Sequence, residues 1–348
     1  MPGEFEPHKG CWMLWPYRAD TWRQSAQPAQ RAFSGVAQAI SQFEPVTIGA
    51  SASQLLNARA ILPPYIRVIV IESNDAWMRD VGPTFLVDSR GEVRGVNWVF
   101  NAWGGIYSDW SLDALVAARV LELENLAYYR TSGFILEGGS IHVDGQGTCL
   151  TTEECLLNPN RNPHLDKTQI EGRLCEYLNL DSIIWLRRGV FEDETSGHVD
   201  NLCCFIRPGV VALTWCDDPS DPMYDIVHEA FELLSQARDA HGRRLEIHTI
   251  HQPTPMYMTL EESRRIESTP GTLSRPAGAR LAGSYINFYI ANGGLVVPIF
   301  NDRYDQPALA TLQTLFPDHR VLGVPGREIL LGGGNIHCIT QQQPRGSV

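Results

Sequence analysis

Apolar positions along this chain come in short runs, with few long stretches. Segments 46–49, 68–71, 84–87, 93–99, 140–143, 148–151, 183–186, 201–206, 210–214, 246–250, 286–291, 294–298, 320–324 and 336–340 are rich in β-branched and aromatic residues and flanked by turn formers, which predicts strands. Apolar residues spaced for one face of a helix predict helices over 28–42, 112–123, 167–178, 223–240 and 306–315. The alternation is not that of a doubly wound sheet, because several strand pairs are separated only by turns, as at 88–92 and 144–147. A repeated unit of hairpin, helix and strand accounts for the pattern better.

Local sequence supports the repeat. Glu137-Gly138-Gly139-Ser140-Ile141-His142-Val143 is echoed by Gly332-Gly333-Gly334-Asn335-Ile336-His337-Cys338, and registering the two sets Cys338 opposite Val143. One copy of the unit has therefore acquired a thiol. If such units close in a ring, equivalent strand ends converge on one central pocket, and residues remote in sequence meet there. The length of 348 residues would suit two average domains, but repeat architectures run longer as one unit. A single catalytic domain over 1–348 is expected.

Composition narrows the function classes. The hydrophobic fraction of 43% supports a large core, and charged residues at 20% argue against disorder. The net charge of −12 repels nucleic acid and anionic membrane, so neither is expected as a partner, while a cationic small molecule is compatible. No apolar run is long enough to span a bilayer, and the acidic N-terminus has no signal-peptide pattern. A cytoplasmic location is expected, with the eight cysteines reduced. None of these shows zinc-site or Cys-x-x-Cys spacing. Seven are read as small buried hydrophobes. His-Glu-x-x-His and EF-hand patterns are also missing from the sequence, and no metal or cofactor is expected.

Cys338 is the exception among the thiols, since a glycine cluster leads directly into it. Ser196-Gly197-His198-Val199-Asp200 supplies a candidate base and a carboxylate, which points to covalent cysteine catalysis. Other segments concentrate polar residues beside glycine or tryptophan: Asn74-Asp75-Ala76-Trp77-Met78-Arg79-Asp80, Phe100-Asn101-Ala102-Trp103-Gly104-Gly105, Leu136-Glu137-Gly138-Gly139, and the N-terminal Phe5-Glu6-Pro7-His8. Together with Gly-His-Val-Asp and the Cys338 run, these resemble the agmatine deiminases of the guanidino-group-modifying superfamily over essentially the whole chain.

The resemblance implies an α/β fold, a five-bladed pseudosymmetric α/β-propeller with its active site on the central axis. It also implies hydrolysis of agmatine to N-carbamoylputrescine and ammonia. Cys338 is the expected nucleophile, because a polarizable thiolate suits the weakly electrophilic guanidinium carbon. His198 is the expected acid and base, able to protonate departing ammonia and then deprotonate water. Asp80 and Asp200 are expected to clamp the guanidinium fork. In an extended strand, His198 and Asp200 would share a side. By the resemblance, Glu137 orients the histidine, and Trp77, Trp103 and Glu194 line the end of the pocket that holds the alkyl chain and distal amine. The family more often carries Asp at the position of Glu194. Strand alternation predicts that His142 and His337 face away from the pocket. The alternatives are a deiminase of free or peptidyl arginine, and a binding scaffold without turnover. The oligomeric state, including a homo-oligomer, is left open by the sequence.

Overall fold

Strand formation follows one rule five times over in the computed structural model, which describes residues 1–346. In each unit two antiparallel strands are followed by a third, parallel to the second. Thr84–Val87, Val93–Val99 and Tyr128–Ile135 form one such sheet. Ile141–Val143, Thr148–Thr152 and Ser182–Leu186 form the next. Cys203–Arg207, Val210–Trp215 and Glu246–His251 follow, then Tyr289–Ala291, Gly294–Ile299 and Arg320–Pro325. The remaining sheet is assembled from both ends of the chain. Thr340–Pro344 runs antiparallel to His8–Leu14, which pairs in parallel with Val46–Ala50 and through it with Arg67–Val70. A short hairpin of Met256–Tyr257 and Arg280–Leu281 brackets the segment between them.

The parallel step in each sheet needs a crossover, and an amphipathic helix supplies it. Lys167–Leu178 begins at an Asp166–Gln169 capping box, ends at Asn179 in the left-handed conformation, and buries Ile170, Leu174 and Leu178 along one face. That face packs with Val96 and Trp98 of one sheet and Val143 and Cys149 of the next. Helix Met223–Gln236 joins Leu150 and Leu186 to Val211 and Leu213. Helix Asp305–Leu315 joins Ile206 and Ala212 to Leu295 and Val297. Asp113–Leu123 and Gln27–Ile40 share the largest cluster with Leu14 and Ile48. Gln27–Ile40 also packs on Gly294–Ile299 and Arg320–Pro325. Three of these clusters therefore lie between two sheets, and the largest reaches Phe85 of one neighbouring sheet and Val296 of the other.

The expected helices are all present, although that over 223–240 stops at Gln236, where Ala237 turns extended and Arg238 bridges to Arg244. The expected strand over 336–340 is not a strand. Residues 336–339 form a turn held by Ile339 N–H to Asn335 O and Thr340 Oγ1–H to Ile336 O, and the strand begins at Thr340. His8–Leu14, Tyr128–Ile135 and the short hairpin were not foreseen. Among the described residues no helix is long and apolar enough to cross a membrane.

Candidate active site

Glycine-rich turns at the strand ends bring the chemistry together. Asp80 sits on the single-turn helix Met78–Val81, tied to the cysteine turn by Arg79 N–H to Cys338 O at 3.0 Å. Its Oδ1 accepts from Gly139 N–H at 2.9 Å and its Oδ2 from Trp103 Nε1–H at 2.8 Å. Trp103 presents that donor from a turn in which Ala102 and Trp103 both have positive φ, at 56° and 52°. Non-glycine residues rarely adopt this conformation unless the surroundings impose it.

Gly139 lies where three functional groups converge. A Cβ there would come within 2.6 Å of His198 Nδ1 and 2.9 Å of both Asp200 Oδ2 and Asp80 Oδ1. Only glycine lets the backbone approach this closely. His198 and Asp200 do not lie on a strand as expected. Gly197 turns at φ 82°, and Val199–Asn201 is a 3-10 turn. The two side chains still meet in one neighbourhood, both lying against Gly139.

Cys338 Sγ accepts from Asn287 Nδ2–H at 3.2 Å and lies 3.5 Å from Asp200 Oδ2. Asn287 is fixed in turn by His337 N–H, which donates to its Oδ1 at 2.9 Å. Burial, with Asp200 and Asp80 adding to it, holds the thiol well above its usual range. His198 stands between two carboxylates, Nδ1 at 3.8 Å from Asp80 Oδ1 and Nε2 at 3.9 Å from Glu137 Oε2. Burial opposes its charge, yet Asp80, together with Cys155 and Glu137, keeps the imidazolium well above the ordinary histidine range. Glu137 is anchored on its other oxygen by Arg161 Nε–H at 2.9 Å. Burial raises Asp80, and although burial also works against Asp200, the bond from His337 Nδ1 at 2.9 Å leaves Asp200 ionised.

These groups surround a small pocket walled by Trp77, Asp80, Trp103, Glu194, His198 and Cys338 among others. Glu137 and Asp200 stand just behind this wall. His142 and His337 do not line it either, as expected, although the strand alternation used to infer this does not hold at His337. His337 instead touches Asp200 from behind. Among the described residues, Asp200 Oδ1, His198 Nε2, Glu137 Oε2 and Asn201 Oδ1 are buried without a hydrogen-bond partner. Such a concentration of unpaired polar atoms marks a site made for a polar ligand.

At the outer end, Glu194 accepts from Arg275 at 2.6 Å, and the same guanidinium reaches Gly332 O and Tyr107 Oη. The acid expected to face a distal cation thus already has one beside it. Gly333, at φ 109°, passes so close to Glu194 that a Cβ would collide with the carboxylate. Asn287, Arg161 and Arg275 are site residues that the sequence reading does not single out; Asn287 sits in an apolar run, and Arg275 lies between Gly271 and Gly278 without a tryptophan, histidine or carboxylate beside it. The other cysteines are free; all but the partly buried Cys175 are buried, as expected.

Comparison with known proteins places this constellation in context. The family model for Porphyromonas-type peptidyl-arginine deiminases matches residues 1–344. An agmatine deiminase of Pseudomonas aeruginosa is 57% identical over 349 residues, covering 99% of this chain and 95% of its own. The solved agmatine deiminase of Enterococcus faecalis superposes with a TM-score of 0.97 at 48% identity, over 99% of this chain and 95% of that one. The C. jejuni agmatine deiminase superposes with a TM-score of 0.84 at 28% identity, over 100% of this chain and 96% of that one.

Proposed function

This chain belongs to the Porphyromonas-type peptidyl-arginine deiminase family, and from that premise we propose that it hydrolyses agmatine to N-carbamoylputrescine and ammonia through a covalent intermediate on Cys338. The observation that carries the reading is the meeting of Cys338, Asp80 and His198 on one buried pocket, with Asp200 directly behind the sulfur at 3.5 Å. A guanidinium seated on Asp80 and the unpaired oxygen of Asp200 brings its carbon to Cys338, and its charge favours loss of the thiol proton to solvent, which leaves the thiolate. Attack forms the C–S bond and places an electron pair on a guanidinium nitrogen. The His198 imidazolium gives its proton to that nitrogen, and ammonia leaves as the thiouronium forms. His198, now neutral, takes a proton from water, which adds to the same carbon. Collapse breaks the C–S bond and releases the urea product and the thiol. Glu137, anchored by Arg161, holds the imidazole through both transfers.

We read the five sheets as blades of one closed ring, a single domain with the pocket on its axis. The helix clusters bridging successive sheets and the joining of the first and last strands support that reading. All eight cysteines are free thiols, the state a reducing cytoplasm maintains, and we read the protein as cytoplasmic. A free small molecule fits the buried pocket better than peptidyl arginine does, because Cys338 is only 6% exposed and a peptide backbone needs an open groove.

The raised thiol suggests that substrate activates its own nucleophile. A bound guanidinium offsets Asp80 and Asp200 and so favours the thiolate. Near neutral pH, cationic 2-chloroacetamidine is therefore expected to inactivate at least roughly ten times faster than neutral iodoacetamide after correction for intrinsic reactivity. Equal corrected rates would remove substrate-assisted activation from the mechanism.

Specificity at the outer end is tested with Glu194→Gln. Loss of a charge-assisted contact to the distal ammonium is expected to raise KM for agmatine roughly tenfold. The same change removes repulsion from the α-carboxylate of arginine, so the preference for agmatine narrows. Because Glu194 also balances Arg275, the melting temperature is measured alongside. Unchanged specificity constants for both substrates would exclude Glu194 as the discriminator.

A further inference from the structure

We propose that Glu4 is a positioning residue for this reaction, holding the His337 ring and, through it, the Asp200 carboxylate; the inference rests on the reading of Asp200 as a guanidinium clamp. Glu4 comes from a turn near the start of the chain, yet it is buried beneath the pocket, at 4% exposure. Its two oxygens lie 3.0 and 2.9 Å from His337 Nε2. The opposite ring nitrogen, Nδ1, lies 2.9 Å from Asp200 Oδ2, and that oxygen is 3.5 Å from Cys338 Sγ. A line of direct contacts thus runs from Glu4 to the nucleophile.

The arrangement has little freedom. Arg79 Nη1–H donates to Glu4 at 2.9 Å, and Arg79 Nε–H reaches His337 O at 3.4 Å. Glu4 O accepts from His8 Nε2 at 2.9 Å, which anchors the turn. With carboxylates at both ring nitrogens, both nitrogens of His337 must carry protons to make both bonds, so the ring is a cation. It then donates a charge-assisted bond to one oxygen of Asp200, which fixes the rotation of the carboxylate and leaves the other oxygen for substrate. The charged and titratable groups facing the ring are Glu4 from the N-terminal turn, Asp200 from the 3-10 turn, Arg79 from the helix bearing Asp80, His142 from its strand, and the neighbouring Cys338. Burial and Arg79 oppose the imidazolium, while Glu4 and Asp200 sustain it, and the balance lies above the ordinary histidine value.

Glu4, His142 and His337 also have the donor types of a metal site, with donor atoms within 4.8 Å of one another. The Arg79 guanidinium already bonded to Glu4 would repel a cation there. The cluster is built to hold protons.

Glu4→Gln tests the inference, since the amide keeps the shape and removes the charge. The folded variant is expected to show a KM for agmatine about tenfold higher, with kcat changed much less, because clamping is weakened more than chemistry. Histidine-selective 15N NMR reads the ring itself. Titrated in parallel, the wild type is expected to retain the His337 imidazolium, identified by its loss in His337→Asn, to higher pH than Glu4→Gln, in which the ring turns neutral first. The sign follows from a raised value: the imidazolium is present at low pH and lost as pH rises through its own pKa, which the variant meets sooner. The alkaline limb of kcat/KM therefore moves to lower pH. Glu4→Asp, which keeps the charge, is expected to recover part of the lost affinity. If Glu4→Gln does not fold, His337→Asn carries the test, keeping an N–H towards Asp200 without the charge, and the same rise in KM is expected. A folded Glu4→Gln with the imidazolium intact and KM within about twofold of wild type would overturn the inference. Asp200→Asn is run in parallel: a collapse there with Glu4→Gln unaffected rejects only the role of Glu4, whereas an unaffected Asp200→Asn rejects the clamp reading itself.

Discussion

Replacing Cys338 with alanine is expected to abolish ammonia release from agmatine, lowering kcat by roughly 10⁴-fold or more while the protein remains folded. No neighbour can take over. Cys155 and Cys204 are the other thiols close to the polar cluster, and burial keeps both protonated. Acid-quenched wild type incubated with agmatine should carry the mass of agmatine less ammonia on the peptide containing Cys338. His198→Gln divides the two halves of the reaction. Absence of the adduct would mean that proton delivery to ammonia limits the variant, and accumulation would mean that water activation does. A stable adduct on a different cysteine would refute the assignment of the nucleophile.

Asp200→Asn is expected to reduce kcat/KM for agmatine by about 10³-fold, since truncating one partner of a buried charge pair costs roughly 2–5 kcal/mol. The same change should act in the opposite direction on the free enzyme. Asp200 is, after burial, the first group that raises the Cys338 thiol. Without its charge the thiol ionises more readily, and alkylation by neutral iodoacetamide should accelerate. Because unfolding would also slow turnover and expose the thiol, the comparison is made on a variant whose melting temperature matches wild type, with the faster alkylation confined to Cys338 while the other buried cysteines stay unmodified. A variant that turns over agmatine at the wild-type rate would disprove the clamp.

Legibility in the sequence followed locality. Strands 84–87 and 93–99 match the sequence reading to the residue because the first is a compact apolar run and the second carries Val93, Val96, Trp98 and Val99, with the Asp88–Glu92 turn between them. The polar, glycine-flanked segments gave Asp80, Glu137, His198, Asp200 and Cys338 because a backbone that approaches a pocket closely needs glycine beside its functional residue. The terminal strand was displaced because Gln341, Gln342 and Gln343 read as solvent-facing, yet all three are buried, and Gln343 accepts from Trp12 Nε1 at 2.9 Å. Tyr128–Ile135 was hidden by its Arg, Thr, Ser and Gly, which are tolerated because its pairing with Val93–Val99 breaks register midway. Asn287, Arg161, Arg275 and Glu4 have no local signature at all. Each acts across a long separation, as Glu4 does on His337, 333 positions away. Only the fold brings them to the site.

The pairing of His8–Leu14 with Thr340–Pro344 also bears on when the enzyme comes to life. Contacts between segments so far apart bring the largest loop-closure cost and form slowly. The Cys338 turn enters that final strand directly, and Glu4 lies just ahead of the first one. Before the two strands meet, the segments that carry Glu4 and Cys338 lack the sheet that holds them side by side. Recovery of deiminase activity during refolding therefore tracks the joining of the two ends of the chain, and intermediates with several well-formed sheets remain catalytically silent.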